Sequence, residues 1–190
     1  MLMRDKVDDI SMKATSTQFE QSNSVDTATD GVSDDDVRFE LANRLFFRLY
    51  QCANMMHKSG TRAVESEGLT TQRWAVLGAL SRSATEPGMS VGDMARYLEV
   101  SRQSLAGIIR RLESDGLILS EPDPSDGRAR RLRLTDHGHR MWAERATPLI
   151  RDFYADAVAG LSVEDMSHAL HYIVRLHHNM AMIHDEADSA

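Results

Sequence analysis

The chain has 190 residues, 42% of them apolar, a single cysteine and a formal net charge of −7. That length suits one well-filled domain better than two independent ones, and the apolar share can build a sizeable core. A lone Cys52 excludes an intramolecular disulfide and fits a reducing, cytoplasmic location, while no apolar run approaches the ~20 residues that span a bilayer.

Residues 1–32 are rich in Ser, Thr, Asp and Gln and show no apolar period, so they read as a mobile, solvated tail. Its opening stretch, Met1 to Ile10, carries Arg4, Asp5, Lys6, Asp8 and Asp9 and does not read as a signal peptide. Residues 1–36 hold nine acids against three bases, a net −6, which leaves −1 for the rest of the chain. The acidity therefore sits at one end. A DNA-mimicking, autoinhibitory arm is the alternative reading of that end.

A helix is expected from Ser33, where Ser33-Asp34-Asp35-Asp36 offers an N-cap and three acids for the positive helix end. Val37, Leu41, Leu45, Leu49, Cys52 and Met56 form a helical apolar stripe, and Phe46, Phe47, Tyr50 and Met55 widen it until one partner no longer suffices. Gly68-Leu69-Thr70 breaks this helix. Thr71 to Leu80 reads as a short buried helix with Trp74, Leu77 and Leu80 on one side, and Pro87-Gly88 as a loop. Ser90-Val91-Gly92-Asp93 is a capping-box pattern opening a helix over Val91 to Leu98. Ser101 caps the next, which runs to about Ser114 and is stopped by Gly116.

Leu117-Ile118-Leu119 reads as a brief strand and Glu121 to Gly127 as turn material. In Arg131-Leu132-Arg133-Leu134 the strict alternation turns the leucines inward and the arginines outward. Arg128, Arg130, Arg131 and Arg133 make the tip of this hairpin basic. A helix is expected from Thr135 to about Ala159 with a kink at Pro148, and a last one capped by Ser162, with Val163, Met166, Leu170, Ile173 and Met180 as its seam.

Three helices followed by a hairpin within 71–134 is the layout of a winged helix-turn-helix, in a fold that is otherwise mainly α. Ala95 is small where two helices approach, and Leu105 with Ile108 is expected to pack the second helix onto the first. That leaves Ser101, Arg102, Gln103, Ser104, Ala106 and Gly107 exposed, a small and hydrogen-bonding set that fits a major groove about 12 Å wide. Arg and Gln can make paired hydrogen bonds to guanine and adenine edges, and Ala106 can meet a thymine methyl. DNA affinity follows local phosphate contacts, so net acidity is no obstacle.

The stretch VGDMARYLEVSRQSLAGIIRRLESDGLI, followed by DPSDGRARRLRLT and preceded by LTTQRWAVLGAL, resembles the MarR family of transcription regulators. The motif likeness covers about residues 40–140, and its most specific part is Asp126-Gly127-Arg128 ahead of Leu132-x-Leu134-Thr135. The resemblance implies that Arg128 enters a minor groove, whose narrow form attracts a guanidinium, that Asp126 orients the wing, and that Arg130 belongs to the same DNA-binding set. One departure stands out: Glu99, in Leu98-Glu99-Val100, occupies the turn position where the family usually has glycine. A left-handed conformation there costs on the order of 1–2 kcal/mol.

The resemblance further implies a homodimer interlocked through the N- and C-terminal helices, on a pseudo-palindromic double-stranded operator. It divides the chain into a tail (1–32), the first part of the dimerisation region (33–67), the winged helix-turn-helix (68–135) and the C-terminal dimerisation helices (136–190). The family's commoner mode is repression, relieved by a small aromatic or phenolic ligand bound between dimer helices and DNA-binding lobe. Asn54, His57 and Thr61 share a helix face, with Arg73 and Trp74 nearby in sequence. An aromatic carboxylate stacked on Trp74 and met by His57 or Arg73 would suit them, as would a plain surface or hinge role. Cys52 reads as core packing, with oxidation sensing as the alternative. His168, His171, His177, His178 and His184 read as solvated or interface residues, with zinc sensing as the alternative. No cofactor or metal is expected. No nucleophile motif, phosphate loop or spaced carboxylate pair suggests an enzyme, and a protein-binding helical adaptor would have no use for Arg128 to Arg133.

Overall fold

A computed structural model of the chain describes residues 33–82, 88–123 and 130–188. The chain divides into two units, residues 1–44 and 45–190. In the first, Ser33 Oγ accepts from the Asp36 amide at 3.1 Å and opens helix α1, Asp34–Val64, with the three acids in its first turn. Val37, Phe39 and Leu41 are exposed there.

In the second unit α1 continues to Val64, a 3-10 turn follows, and Gly68 ends it in the left-handed region. Helix α2, Thr71–Arg82, buries Trp74, Val76, Leu77, Ala79 and Leu80. Helix α3 is Val91–Tyr97 and helix α4 Arg102–Ser114, each capped by the serine before it: Ser90 accepts from the Asp93 amide and Ser101 from the Ser104 amide. Strands β2, Ile118–Pro122, and β3, Arg130–Leu134, form the hairpin in the register Ile118↔Leu134 to Pro122↔Arg130.

A two-residue strand β1, Met89–Ser90, joins the far edge of β3 antiparallel, giving the sheet order β1-β3-β2. Two residues show no alternation, so the sequence pattern could not reveal β1. Its approach depends on Gly88, at φ +90°, where a Cβ would lie 2.5 Å from the Leu132 carbonyl oxygen. Only glycine combines that backbone with so close a contact.

The core joins Leu77, Met94, Leu105, Ile109, Leu112, Leu117, Leu132 and Leu134, all buried. The apolar ridge of α4 is Leu105, Ile109 and Leu112, at i, i+4 and i+7, rather than the expected Leu105 and Ile108. Ile108 packs at the margin, half-buried. A leucine fully removed from water contributes about 1.5–3 kcal/mol, so this ridge holds α4 firmly on its neighbours.

Past the sheet come α5, Asp136–Arg140, a π-helical run over Met141–Ala146, and α6, Thr147–Ala157. The irregularity lies in the turns before Pro148. Proline has no amide to donate; just before it, both the Thr147 amide and its hydroxyl bond the Trp142 carbonyl, the hydroxyl at 2.7 Å. Helix α7, Val163–Asp188, is capped by Ser162, whose Oγ accepts from the Asp165 amide. Among the described residues, no helix is long and apolar enough to cross a membrane.

Candidate nucleic-acid interface

The turn between α3 and α4 sets how α4 is presented. Amides of Leu98, Glu99 and Val100 bond back to the carbonyls of Met94, Arg96 and Ala95, closing a tight corner over the buried Ala95. Glu99 takes the left-handed conformation that the missing glycine implied, at φ 52°. With Leu105, Ile109 and Leu112 turned into the core, the opposite face of α4 is open. Arg102, Gln103, Ser104, Ala106 and Gly107 are all exposed on it, and Ser101 is exposed at its cap.

Ser101 and Ser104 share a hydroxyl–hydroxyl bond of 2.8 Å, so part of their hydrogen-bonding capacity goes to the helix end. Gln103 and Arg102 stand on the same first turn. The Arg102 guanidinium lies over Gly92, where a Cβ would come within 3.3 Å of it, so a bare backbone at the start of α3 makes room for that side chain. Arg110, one turn beyond Ala106, is exposed on the same face and was missed by the motif reading. The spacing Gln103, Ala106, Gly107, Arg110 carried the signal.

Asp93, in the first turn of α3, is held below its ordinary carboxylate value by the hydrogen bond from Ser90, with Arg96 and the charge of Arg131 acting the same way. It remains ionised at the positive end of α3.

At the wing, Asp126 and Arg128 lie outside the described residues. Arg130 is exposed but turns back on the hairpin, with Nε 2.7 Å from Ser120 Oγ and a second nitrogen on the Ser120 carbonyl. Arg133 is exposed and lies 3.6 Å from Glu121. Arg131 departs from the expected outward position: its side chain is only 25% exposed and pairs with a buried Asp123. Alternation places Arg131 on the face opposite Leu132, where its guanidinium is taken up by Asp123 and the Gly88 carbonyl.

The residues considered for a ligand are spread over two junctions. Thr61 Oγ1 lies 2.9 Å from Thr71 Oγ1 and accepts the Thr71 amide, while the Thr71 hydroxyl donates to the His57 carbonyl at 3.0 Å. Thr61 thus ties α1 to α2. Arg73 donates to the Gly68 carbonyl and pairs with Asp115 at the end of α4. Trp74 is buried, with ring centroids of Phe153 and Tyr154 at 6.0 and 5.9 Å in edge contacts. His57 and Thr61 line a shallow hollow along α1 that does not include Arg73 or Trp74, and Asn54 is exposed one turn before it.

A separate apolar groove of about 580 Å³ runs between α1 and α7, lined by Leu45, Leu49, Cys52, Tyr172, Ile173 and Leu176 among others. Cys52 is exposed there, contrary to its expected burial, because this face of α1 has no full cover among the described residues. Among the described residues, no group of three or more His, Cys, Asp or Glu is placed to hold a metal. His177 Nε2 lies 3.4 Å from Glu99.

Comparison with known proteins bears on this geometry directly. The MarR family model matches residues 67–129. The transcriptional activatory protein BadR of Rhodopseudomonas palustris is 54% identical over 160 residues, covering 84% of this chain and 90% of that protein. The homoprotocatechuate degradative operon repressor of Escherichia coli is 32% identical over 110 residues, covering 58% of this chain and 72% of that protein. Among solved structures, the repressor CouR bound to a 23-mer DNA duplex matches with a TM-score of 0.60 at 27% identity, over 72% of this chain and 94% of that one. The S. aureus MepR–DNA complex shares the fold, with a TM-score of 0.63 at 20% identity, over 70% of this chain and 96% of that one.

Proposed function

The chain belongs to the MarR family of DNA-binding transcription regulators, and we propose that it acts as a homodimer whose hold on a pseudo-palindromic operator is set by a small aromatic acid. The observation that carries the reading is the division of α4 into a buried ridge, Leu105, Ile109 and Leu112, and an open face bearing Arg102, Gln103, Ala106, Gly107 and Arg110. A helix held from behind and bare in front is what a major groove admits.

Dimerisation is supported by the apolar faces left open in the second unit. Leu45, Phe46, Phe47 and Tyr50 on α1 and Leu170, Ile173, Val174 and Ile183 on α7 are exposed, and so much uncovered apolar surface marks an interaction site. A two-fold pair would set two α4 helices about one DNA turn apart, ~34 Å.

The aromatic effector is supported by the relative named for homoprotocatechuate, an aromatic carboxylate. The place where such an acid would act is Arg73. Its guanidinium joins α2 to Asp115 at the end of α4, and its Nε–H is buried with no hydrogen-bond partner among the described residues. A ligand carboxylate that engages Arg73 would displace Asp115 and loosen the end of α4. The two relatives are named activator and repressor, so the shared fold does not by itself carry the sign of regulation.

A gel shift on DNA upstream of the protein's own gene, with aromatic carboxylic acids added, tests this. One acid should change occupancy in the wild type and lose that effect in Arg73→Met. Retained response in Arg73→Met would remove Arg73 from the mechanism, and binding unaffected by Gln103→Ala plus Arg102→Ala would remove α4.

A further inference from the structure

A guanidinium in a basic hairpin beside DNA reads at first as a phosphate contact, and Arg131 does not behave as one. Its Nε donates to Asp123 Oδ2 at 2.6 Å and its Nη1 to the Gly88 carbonyl at 3.0 Å. The Asp123 side chain is 6% exposed. A carboxylate so far out of water stays ionised only with a partner, and removing that partner is strongly unfavourable. Arg131 is therefore committed inside the protein and cannot turn outward to a phosphate without giving up its bonds to the buried Asp123 and the Gly88 carbonyl.

Position in the chain gives the pair its use. The hairpin ladder ends at Pro122↔Arg130. Asp123 is the next residue on one side, Arg131 is the second residue of β3 on the other, and residues 124–129 lie between them. A two-stranded ribbon is marginal by itself, so its far end needs another hold. Arg131 supplies one by reaching past the last backbone pair to Asp123. With its other nitrogen it reaches Gly88, which leads into β1, and β1 sets Ser90 opposite Arg131. Ser90 is also the N-cap of α3. One planar fork thus joins the end of β2, the start of β3 and the entry to the helix-turn-helix. Lysine, a point donor, could not span the same two acceptors in that geometry.

We propose that Arg131 and Asp123 are positioning residues for operator binding: their buried pair, anchored on Gly88, fixes the root of segment 124–129 relative to α3 and α4 without either side chain touching DNA. The proposal rests on the reading in which Arg128, within that segment, contacts DNA.

The test measures operator binding by fluorescence anisotropy over a range of salt, on the full chain, with thermal melts to show each variant folded. Asp123→Asn deletes a negative charge, which simple electrostatics would reward with tighter binding. If the pair positions the wing, Asp123→Asn instead weakens binding on the order of tenfold and lowers the salt slope by about one, the signature of a lost phosphate contact. Arg131→Lys, which keeps the charge and is the milder change for folding, should do the same. Arg128→Ala combined with Asp123→Asn should bind no more weakly than Arg128→Ala alone. In the free protein, amide exchange should rise together in 88–90 and 124–129 for Asp123→Asn, with α4 unchanged. Wild-type exchange in 124–129, or wild-type or tighter operator binding by Asp123→Asn while Arg128→Ala is impaired, overturns the proposal. Normal binding by Arg128→Ala overturns only the reading of Arg128, since the exchange result then judges the pair by itself.

Discussion

Glu99→Gly should make the protein more stable. Glu99 stands at φ 52° in the turn between α3 and α4, a region that costs an L-residue with a Cβ on the order of 1–2 kcal/mol. Glycine removes that cost but loses roughly 0.5–1 kcal/mol through the greater freedom of the unfolded chain. The net gain is therefore roughly 0–1.5 kcal/mol, which for a chain of this size raises Tm by up to about 6 °C. The glutamate side chain also faces His177 at 3.4 Å across an exposed gap, and such pairs contribute little. Glu99→Ala serves as the control, because it loses the same side chain while keeping the Cβ at positive φ. Thermal melts of the three proteins at one concentration isolate the backbone effect, since the Tm of the proposed dimer would depend on concentration. Glu99→Gly should melt above Glu99→Ala by more than it melts above the wild type. A Glu99→Gly protein that melts at or below Glu99→Ala would refute strain at this corner. Operator affinity should stay at the wild-type level, because α4 is held by its buried ridge and not by this side chain.

Gly78→Ala should cost about 1–3 kcal/mol by overpacking, because its Cβ would lie 2.8 Å from the Trp142 ring; urea unfolding measures it. Gln103→Ala should change base preference at one operator position rather than overall affinity, and a panel of single-base operator variants reads this out. Arg110→Ala should lower the salt slope of operator binding by about one, with an unchanged slope removing Arg110 from the interface. Asp165 is held below its ordinary value of 3.8 by hydrogen bonds from the Ser162 hydroxyl and amide, so its stabilising contribution is present above that value and lost as pH falls through the lower folded value. Asp165→Asn should therefore flatten the acid limb of stability in urea melts taken from about pH 5 down to about pH 3.

What was legible in the sequence was local. Ser33, Ser90, Ser101 and Ser162 each precede an amide they cap three residues on, a short-range pattern that needs no knowledge of the rest of the fold. The same holds for Gly116, found at φ 67° where α4 stops. What escaped depended on distant segments. Strand β1 exists only because β3 offers an edge to it. Ile108 and Ile109 are equally apolar, and the choice between them is made by the angle at which α4 meets the core. Thr61 read as a free polar group on a helix face until Thr71, ten residues away, took it up.

Charge shows the same limit in a form that bears on function. Counted in sequence, Arg128 to Arg133 make the wing the obvious electrostatic anchor. In the structure, Arg131 is neutralised by Asp123, Arg133 faces Glu121, and Arg130 spends its donors on Ser120. An arginine already paired to a carboxylate has little left for a phosphate, because the new contact must first break the old one. On α4 the arginines have a different setting, with Arg102 and Arg110 both exposed on the face away from the core. The sequence count thus credits the hairpin with charge that its own acids consume. The arginines of the wing root serve first to shape the protein, and the described positive charge best placed for DNA lies on the recognition helix.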